Sequence, residues 1–178
     1  IDIGSGIKLD TSENPVKIVY LGIGSNLGNK RLNIENTKSK IQSKNIKILK
    51  CSSYFITESW PDKRKPKFIN IVLKVKTTHS ATQLLKICHL IEKSLGRKRS
   101  KKNAPRTCDI DIIDYNQQVI DLKNINLILP HPSLSKRNFV LLPLFQIDKS
   151  WKHPKTKIKI VKLLSLLSIA DLRSIKQT

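Results

Sequence analysis

Methionine is missing altogether, acidic residues number 13 against 34 basic ones, and aromatic residues make up only 5% of the 178-residue chain. Each shortage excludes something. Without a methionine, residue 1 has no standing as a natural start. The three cysteines, Cys51, Cys88 and Cys108, are an odd number and show no C-x-x-C spacing. That excludes a disulfide framework and a zinc ribbon and fits buried thiols in a reducing compartment. No apolar run approaches the ~18 residues of a membrane span. The N-terminus lacks a charged-then-apolar signal layout, so a cytoplasmic protein with no membrane partner is expected. The scarcity of aromatics, with no K/R-G-F/Y-G motif, removes the stacking platforms of sheet-based RNA recognition. No nucleic-acid partner is therefore expected, although the formal net charge is +21. Lys, Ile and Asn are enriched along the whole chain rather than in one patch, and the resulting field favours small anionic ligands such as nucleotides.

What is present reads as one α+β domain of ordinary size. Residues 1–15 carry no periodic pattern and form an irregular extension; the domain proper is 16–178. The apolar run "VKIVYLGIG" (16–24) predicts a buried strand. A helix is expected from Asn29 to about Lys44, a strand over 45–57 and another over 68–77. Ser80 opens a second helix with Gln83 as its capping-box partner, and Gly96 stands where a C-terminal cap belongs. "TCDIDIIDY" (107–115) is the fourth strand, completed as a hairpin by a turn at "NQQ" and the run "VIDL". A segment around "NFVLLPLFQI" and a helix near 160–167 close the chain. Strand, helix, strand, strand, helix, strand is the order of a ferredoxin-like sandwich, a mainly antiparallel sheet with packed helices. A single copy of the chain is the expected functional unit.

In so basic a chain, "APRTCDIDIIDYN" (104–116) is conspicuous for three aspartates within six positions. Side chains alternate along a strand, so Asp109 and Asp111 share a face at about 6.6 Å separation, while Ile110 and Ile112 point to the core. Asp114 shares the parity of the isoleucines and falls outside any site on that face. Two bare carboxylates side by side repel one another. Ion pairing with upstream cations would relieve this, and so would a pair of Mg²⁺ ions about 3.5–4 Å apart that also grips phosphate. The block "GRKRSKKNAPR" just upstream supplies Arg97, Lys98, Arg99, Lys101, Lys102 and Arg106 for phosphate oxygens. His131 lies between two prolines with Arg137 six residues on. The glycines of "GIGSNLGN" (22–29) do not fit G-x-G-x-x-G. They suggest a tight turn that brings Ser25 and Asn26 near a ligand.

Together, "YLGIGSNLGN", "SSYFIT", "FINIVL", "GRKRSKKNAPRTCDIDII" and "LPHPSLSKRNFVLLPL" resemble successive blocks of the 6-hydroxymethyl-7,8-dihydropterin pyrophosphokinase family, from about Val16 to Trp151. The resemblance implies transfer of pyrophosphate from ATP to the hydroxymethyl group of the pterin, with release of AMP, in folate biosynthesis. It places two Mg²⁺ ions on Asp109 and Asp111. It assigns the ATP phosphates to Arg97, Arg99, Lys102, Arg106, His131 and Arg137, with Arg97 and Arg99 catalytic on a mobile loop. The pterin falls between the rings of Phe68 and Phe139, with Asn70 on its edge and backbone groups of Thr57, Ser59 and Trp60 completing that edge. Many members have Arg-Trp where this chain has Lys102 and Asn103. Lys102 keeps the charge without the guanidinium fork, and Trp60 stands as a substitute lid.

Overall fold

The computed structural model describes residues 14–59, 62–97 and 104–178. The irregular extension expected over 1–15 lies almost wholly outside them. Strand β1 (Lys17–Ser25) is followed by α1 (Lys30–Gln42), β2 (Lys47–Cys51), β3 (Phe55–Thr57), β4 (Phe68–Thr77), α2 (Ala81–Ser94) and β5 (Asp109–Tyr115). Short strands β6 (Ile120–Leu122) and β7 (Leu127–Leu129) come next, then α3 (Asn138–Ile147), α4 (Ile160–Ser165), α5 (Ile169–Arg173) and β8 (Ile175–Gln177). The main sheet runs β5-β1-β4-β3-β8, with β2 also paired to β4, and every pairing is antiparallel. If β2 and β3 are counted as one interrupted strand, this is the expected ferredoxin-like order.

The sheet is buried on both faces because its strands carry apolar residues at both parities. On one face Val19, Leu21, Ile23, Leu73, Ile110 and Ile112 pack against Ile34 and Ile41 of α1 and Leu84, Cys88 and Ile91 of α2. On the other, Tyr20, Val72 and Ile113 meet Val140, Leu141 and Leu144 of α3 and Ile160 and Leu163 of α4. Local signals set the helix ends as expected. Ser80 and Gln83 form a complete capping box on α2, and Gly96 takes φ +79° just beyond it; there a residue without Cβ escapes the left-handed penalty.

Three expectations change. The single strand over 45–57 is two strands, because the serines between them bond locally. Ser52 Oγ donates to the Ser53 carbonyl and accepts from Val72 N–H, replacing a ladder bond. The run "VIDL" does not return along β5. Asn116 bonds the backbone of Ile18 through its own N–H and through Oδ1, and Gln117 N–H bonds Asp114, so the turn closes inward. Strand β6 then pairs with β7 instead. Finally, Asp114 does not share the face of Ile110 and Ile112. The β1–β5 register slips between Tyr20/Asp114 and Leu21/Ile112. This bulge at Ile113 puts two successive residues, Ile113 and Asp114, toward α3 and Trp151. Asp114 still lies outside the site, but as a buried acceptor for Trp151 Nε1 at 2.8 Å.

At the end of α3, Asp148 accepts from Lys74 Nζ (2.8 Å), the Tyr20 hydroxyl (2.5 Å) and Ser150 Oγ (2.7 Å), through one or other of its oxygens. Burial alone would raise its pKa, yet these donors hold it well below the usual carboxylate range. A depressed acid contributes stability fully above its unfolded pKa of ~3.9 and loses it as pH falls through the lower folded value. Asp148→Asn is therefore expected to cost about 1–3 kcal/mol in urea unfolding at pH 7. The gap from wild type should stay constant down to about pH 4 and close below it.

Candidate functional site

The site is built from adjacent residues on neighbouring strands. In the sheet register Asp109 of β5 lies opposite Gly24 of β1, and Gly24 lies opposite Asn70 of β4. Likewise Asp111 is opposite Gly22, and Gly22 is opposite Val72. Asp109 and Asp111 therefore do share a face, and only a bare stretch of β1 separates them from Asn70, two strand spacings or about 10 Å away. The glycines make this stretch bare. A Cβ at Gly24 would stand 2.9 Å from Asn70 Oδ1 and 3.4 Å from the Phe68 ring. Gly22 and Gly24 are thus floor residues inside a strand rather than parts of a turn, a role invisible without the neighbouring strand. The turn that follows β1 contains Gly28, at φ +66°.

The side chains of Ser25 and Asn26, expected near a ligand, are buried and bonded to protein groups. Ser25 Oγ accepts from Asn33. Asn26 is buried, accepts from Arg106 N–H through Oδ1 at 2.8 Å, and donates to the Pro66 carbonyl and Ser59 Oγ. It ties the strand-flanking segments around Ser59, Pro66 and Arg106 to the end of β1.

The aspartates are compensated by the arginines expected to grip phosphate. Asp109 Oδ1 accepts from Arg97 Nη1 at 2.6 Å, and its other oxygen is 3.3 Å from Arg106 Nε. The latter approach is an ion pair without hydrogen-bond alignment, which leaves Arg106 Nε buried and unsatisfied. Asp111 Oδ2 accepts from Arg137 Nη1 at 2.6 Å. Arg97 is not on a free loop. Its guanidinium is shared between Asp109 and Glu92, its backbone N–H bonds the Glu92 carbonyl, and Glu92 also receives Ile110 N–H at 2.8 Å. Glu92 is a site residue that the sequence conceals, since it reads as an ordinary polar position of α2. It is 5% exposed, and burial raises its pKa against the opposing pull of Ile110 N–H and Arg97. Asp109 is likewise raised, first by burial and then by the Asp111 charge, with Arg106 and Arg97 opposing.

His131 donates its backbone N–H to the Ile113 carbonyl, and its Nδ1 accepts from Ser133 N–H at 3.1 Å. Burial and then the Arg137 charge lower its pKa, so at neutral pH it is an uncharged ring whose proton sits on Nε2. On the other side of the glycine floor, Thr57 Oγ1 accepts from Asn70 Nδ2 at 2.9 Å, and Thr57 pairs with Phe68 across β3 and β4. Arg106 lies 5.5 Å above the Phe68 ring centre and Arg137 5.5 Å from that of Phe139. Each aromatic ring therefore touches an arginine that also pairs with an aspartate. The Ser59 hydroxyl is spent on the Pro66 carbonyl at 2.6 Å, so only its backbone is free for the role expected of it. Arg99, Lys102, Trp60 and Asn103 lie outside the described residues.

The donor set fits a phosphate-bound divalent cation rather than a closed protein cage. Among the described residues no group of three or more His, Cys, Asp or Glu side chains could hold a metal. Asp109 and Asp111 are a like-charged pair with 24% and 35% of their side-chain surface exposed. Mg²⁺ commonly takes one or two carboxylates and completes its shell with water and phosphate oxygens, which such a pair allows. Among the described residues, no helix is long and apolar enough to cross a membrane.

A family model described as 7,8-dihydro-6-hydroxymethylpterin-pyrophosphokinase (HPPK) matches residues 20–149. A 2-amino-4-hydroxy-6-hydroxymethyldihydropteridine pyrophosphokinase of Aquifex aeolicus is 38% identical over 136 residues, 76% of this chain and 83% of that protein. The folic acid synthesis protein fol1 of Pneumocystis carinii is 37% identical over 166 residues, 92% of this chain but 22% of that longer protein. A solved Plasmodium falciparum HPPK-DHPS with pteroate superposes with a TM-score of 0.69 at 15% identity, covering 94% of this chain and 47% of that one. At that identity the likeness speaks for the fold.

Proposed function

This chain belongs to the 7,8-dihydro-6-hydroxymethylpterin-pyrophosphokinase family, whose reaction is pyrophosphate transfer to hydroxymethyldihydropterin in folate biosynthesis, and we propose how its residues divide that work. The observation that carries the reading is the line Asp109–Gly24–Asn70 across three strands: carboxylates at one end, an amide at the other and a bare floor between. The nucleotide lies over the β5 end and the pterin over the β4–β3 end, so the hydroxymethyl oxygen meets the β-phosphate above Gly24.

Asp109 and Asp111 would hold two Mg²⁺ ions, which would offset the phosphate charge and polarise the group being transferred. Arg97, Arg106 and Arg137 exchange their carboxylate partners for phosphate oxygens, and His131 donates from Nε2. Arg99 and Lys102 belong to the same phosphate set. Asn70 and Thr57, already bonded to each other, pair with the polar edge of the pterin, joined by backbone groups of Ser59 and Trp60. Phe68 and Phe139 stack on its faces. A primary hydroxyl is a weak nucleophile, and phosphoryl transfer gains most from alignment and preorganised charge, which such a floor and its walls provide.

The direct test is AMP formation from ATP with Mg²⁺, with and without 6-hydroxymethyl-7,8-dihydropterin. AMP that appears only with both supports the reading. Steady AMP or ADP release without the pterin would overturn it. Gly24→Ala probes the floor, since the added methyl must displace a buried Asn70 that is tied to Thr57. The expected result is a rise of about tenfold or more in KM for the dihydropterin, from the disturbed hydrogen bonds, with circular dichroism unchanged.

A further inference from the structure

The C-terminal segment, residues 168–178, joins the start of α3, beside Phe139, to β3, whose Thr57 pairs with Phe68. Strand β8 closes the edge of the sheet beside β3, pairing Ile175 with Thr57, Lys176 with Ile56 and Gln177 with Phe55. Thr178 N–H continues this to the Tyr54 carbonyl at 2.9 Å. On the other side, Asn138 Nδ2 at the start of α3 donates to the Asp171 carbonyl at 2.5 Å and to Ser174 Oγ at 2.9 Å. Asn138 is flanked by Arg137, which pairs with Asp111, and by Phe139, the expected ring partner of the pterin. A continuous path therefore runs from Asp111 through Arg137, Asn138, Ser174 and Ile175 to Thr57 and Asn70.

Helix α3 is fixed to the β3 side at its two ends by different means. Its far end is held directly, with Gln146 exchanging two bonds with Ser53. Its near end, beside the site, is held to the β3 side through the C-terminal segment, by way of Asn138. That segment lies wholly beyond residue 149, where the match to the family model ends. An aromatic slot works only at one width, since stacking contacts fade within a fraction of an ångström of the optimum.

We propose that residues 168–178 form a clamp that sets the separation of Phe139 and Thr57, with Asn138 as the positioning residue that latches it; this rests on the pyrophosphokinase reading above. Asn138 touches no substrate. Its amide holds the first turn of α3, and β8 holds Thr57, so the pterin side of the site depends on the latch. On the nucleotide side, Arg97 and Arg106 are tied to Glu92, Asp109 and Asn26, and Arg137, although next to Asn138, is anchored separately on Asp111, so these groups depend on the latch far less.

Steady-state kinetics with each substrate varied separately test the clamp on wild type, Asn138→Ala, Ser174→Ala and Asn138→Gln, with melting temperatures alongside. Asn138→Ala is expected to raise KM for the dihydropterin about tenfold and KM for ATP by less than about twofold, from two lost bonds. Ser174→Ala, which removes one acceptor, should shift the same constant by about threefold. Asn138→Gln restores a donor amide and should recover part of the loss. Unchanged dihydropterin KM in folded Asn138→Ala, or equal shifts for both substrates, would overturn the clamp. Should Asn138→Ala fail to fold, an unaltered dihydropterin KM in Ser174→Ala would do the same. A wild type that forms no AMP with dihydropterin defeats the functional reading instead, and the two failures are thereby told apart.

Discussion

Asp111→Ala is expected to lower kcat by about a hundred- to a thousandfold, the usual cost of removing one preorganised electrostatic partner from a transition state. The fold should hardly notice. Asp111 is on the edge strand β5, whose ladder to β1 uses backbone groups alone, a third of its side chain is exposed, and the interaction lost with it is one ion pair with Arg137. Partly exposed pairs contribute about 0–1 kcal/mol, so the melting temperature should fall by no more than about 4 °C. Asp109→Ala should abolish turnover as well, but with a larger structural cost, because Arg97 and Arg106 both lean on it. The split between activity and stability is the informative quantity. AMP release by Asp111→Ala at wild-type rates would sink the assignment of that carboxylate to the metal–phosphate centre.

The opposite split is expected three residues along the same strand. Asp114 is 1% exposed and receives Trp151 Nε1 at 2.8 Å and Gln117 N–H at 2.9 Å. Asp114→Ala leaves the indole N–H buried without an acceptor and opens a small void between the bulge and Trp151. Together these should cost about 2–4 kcal/mol. The melting temperature would then drop by roughly 5–15 °C for a domain of this size. Urea unfolding measures the loss, and AMP release per folded molecule should stay near wild type. A small stability change with a large loss of turnover would show that Asp114 serves the chemistry after all.

Those two residues also mark how much the sequence discloses. Asp109 and Asp111 are legible because alternation is local: two positions apart on a strand means one face. The capping box of Ser80 and Gln83 and the left-handed Gly96 are legible for the same reason. Asp114 is not, because the bulge at Ile113 arises from the fit between β5 and β1, and no property of "DIDIID" announces it. The floor role of Gly22 and Gly24 requires knowing that Phe68 and Asn70 lie alongside. Arg97 reads as a free phosphate grip because its partner Glu92 lies a helical turn upstream, where acids are commonplace. The C-terminal strand escapes notice altogether, since "SIKQT" has little strand character and forms one only because β3 offers an unpaired edge.

The pairing of Arg97, Arg106 and Arg137 with Glu92, Asp109 and Asp111 has a consequence for the order in which ligands arrive. Among the described residues, Arg97, Arg106 and Arg137 are balanced by Glu92, Asp109 and Asp111. A nucleotide arriving without cations must compete with acids for the arginines, and a cation arriving alone must compete with arginines for the acids. The two together would supply new partners to the three arginines and to Asp109 and Asp111, while Glu92 keeps Ile110 N–H. Under the proposed assignment the cleft would act as a coincidence detector: magnesium and ATP should each tighten the other's binding, by the same factor in both directions.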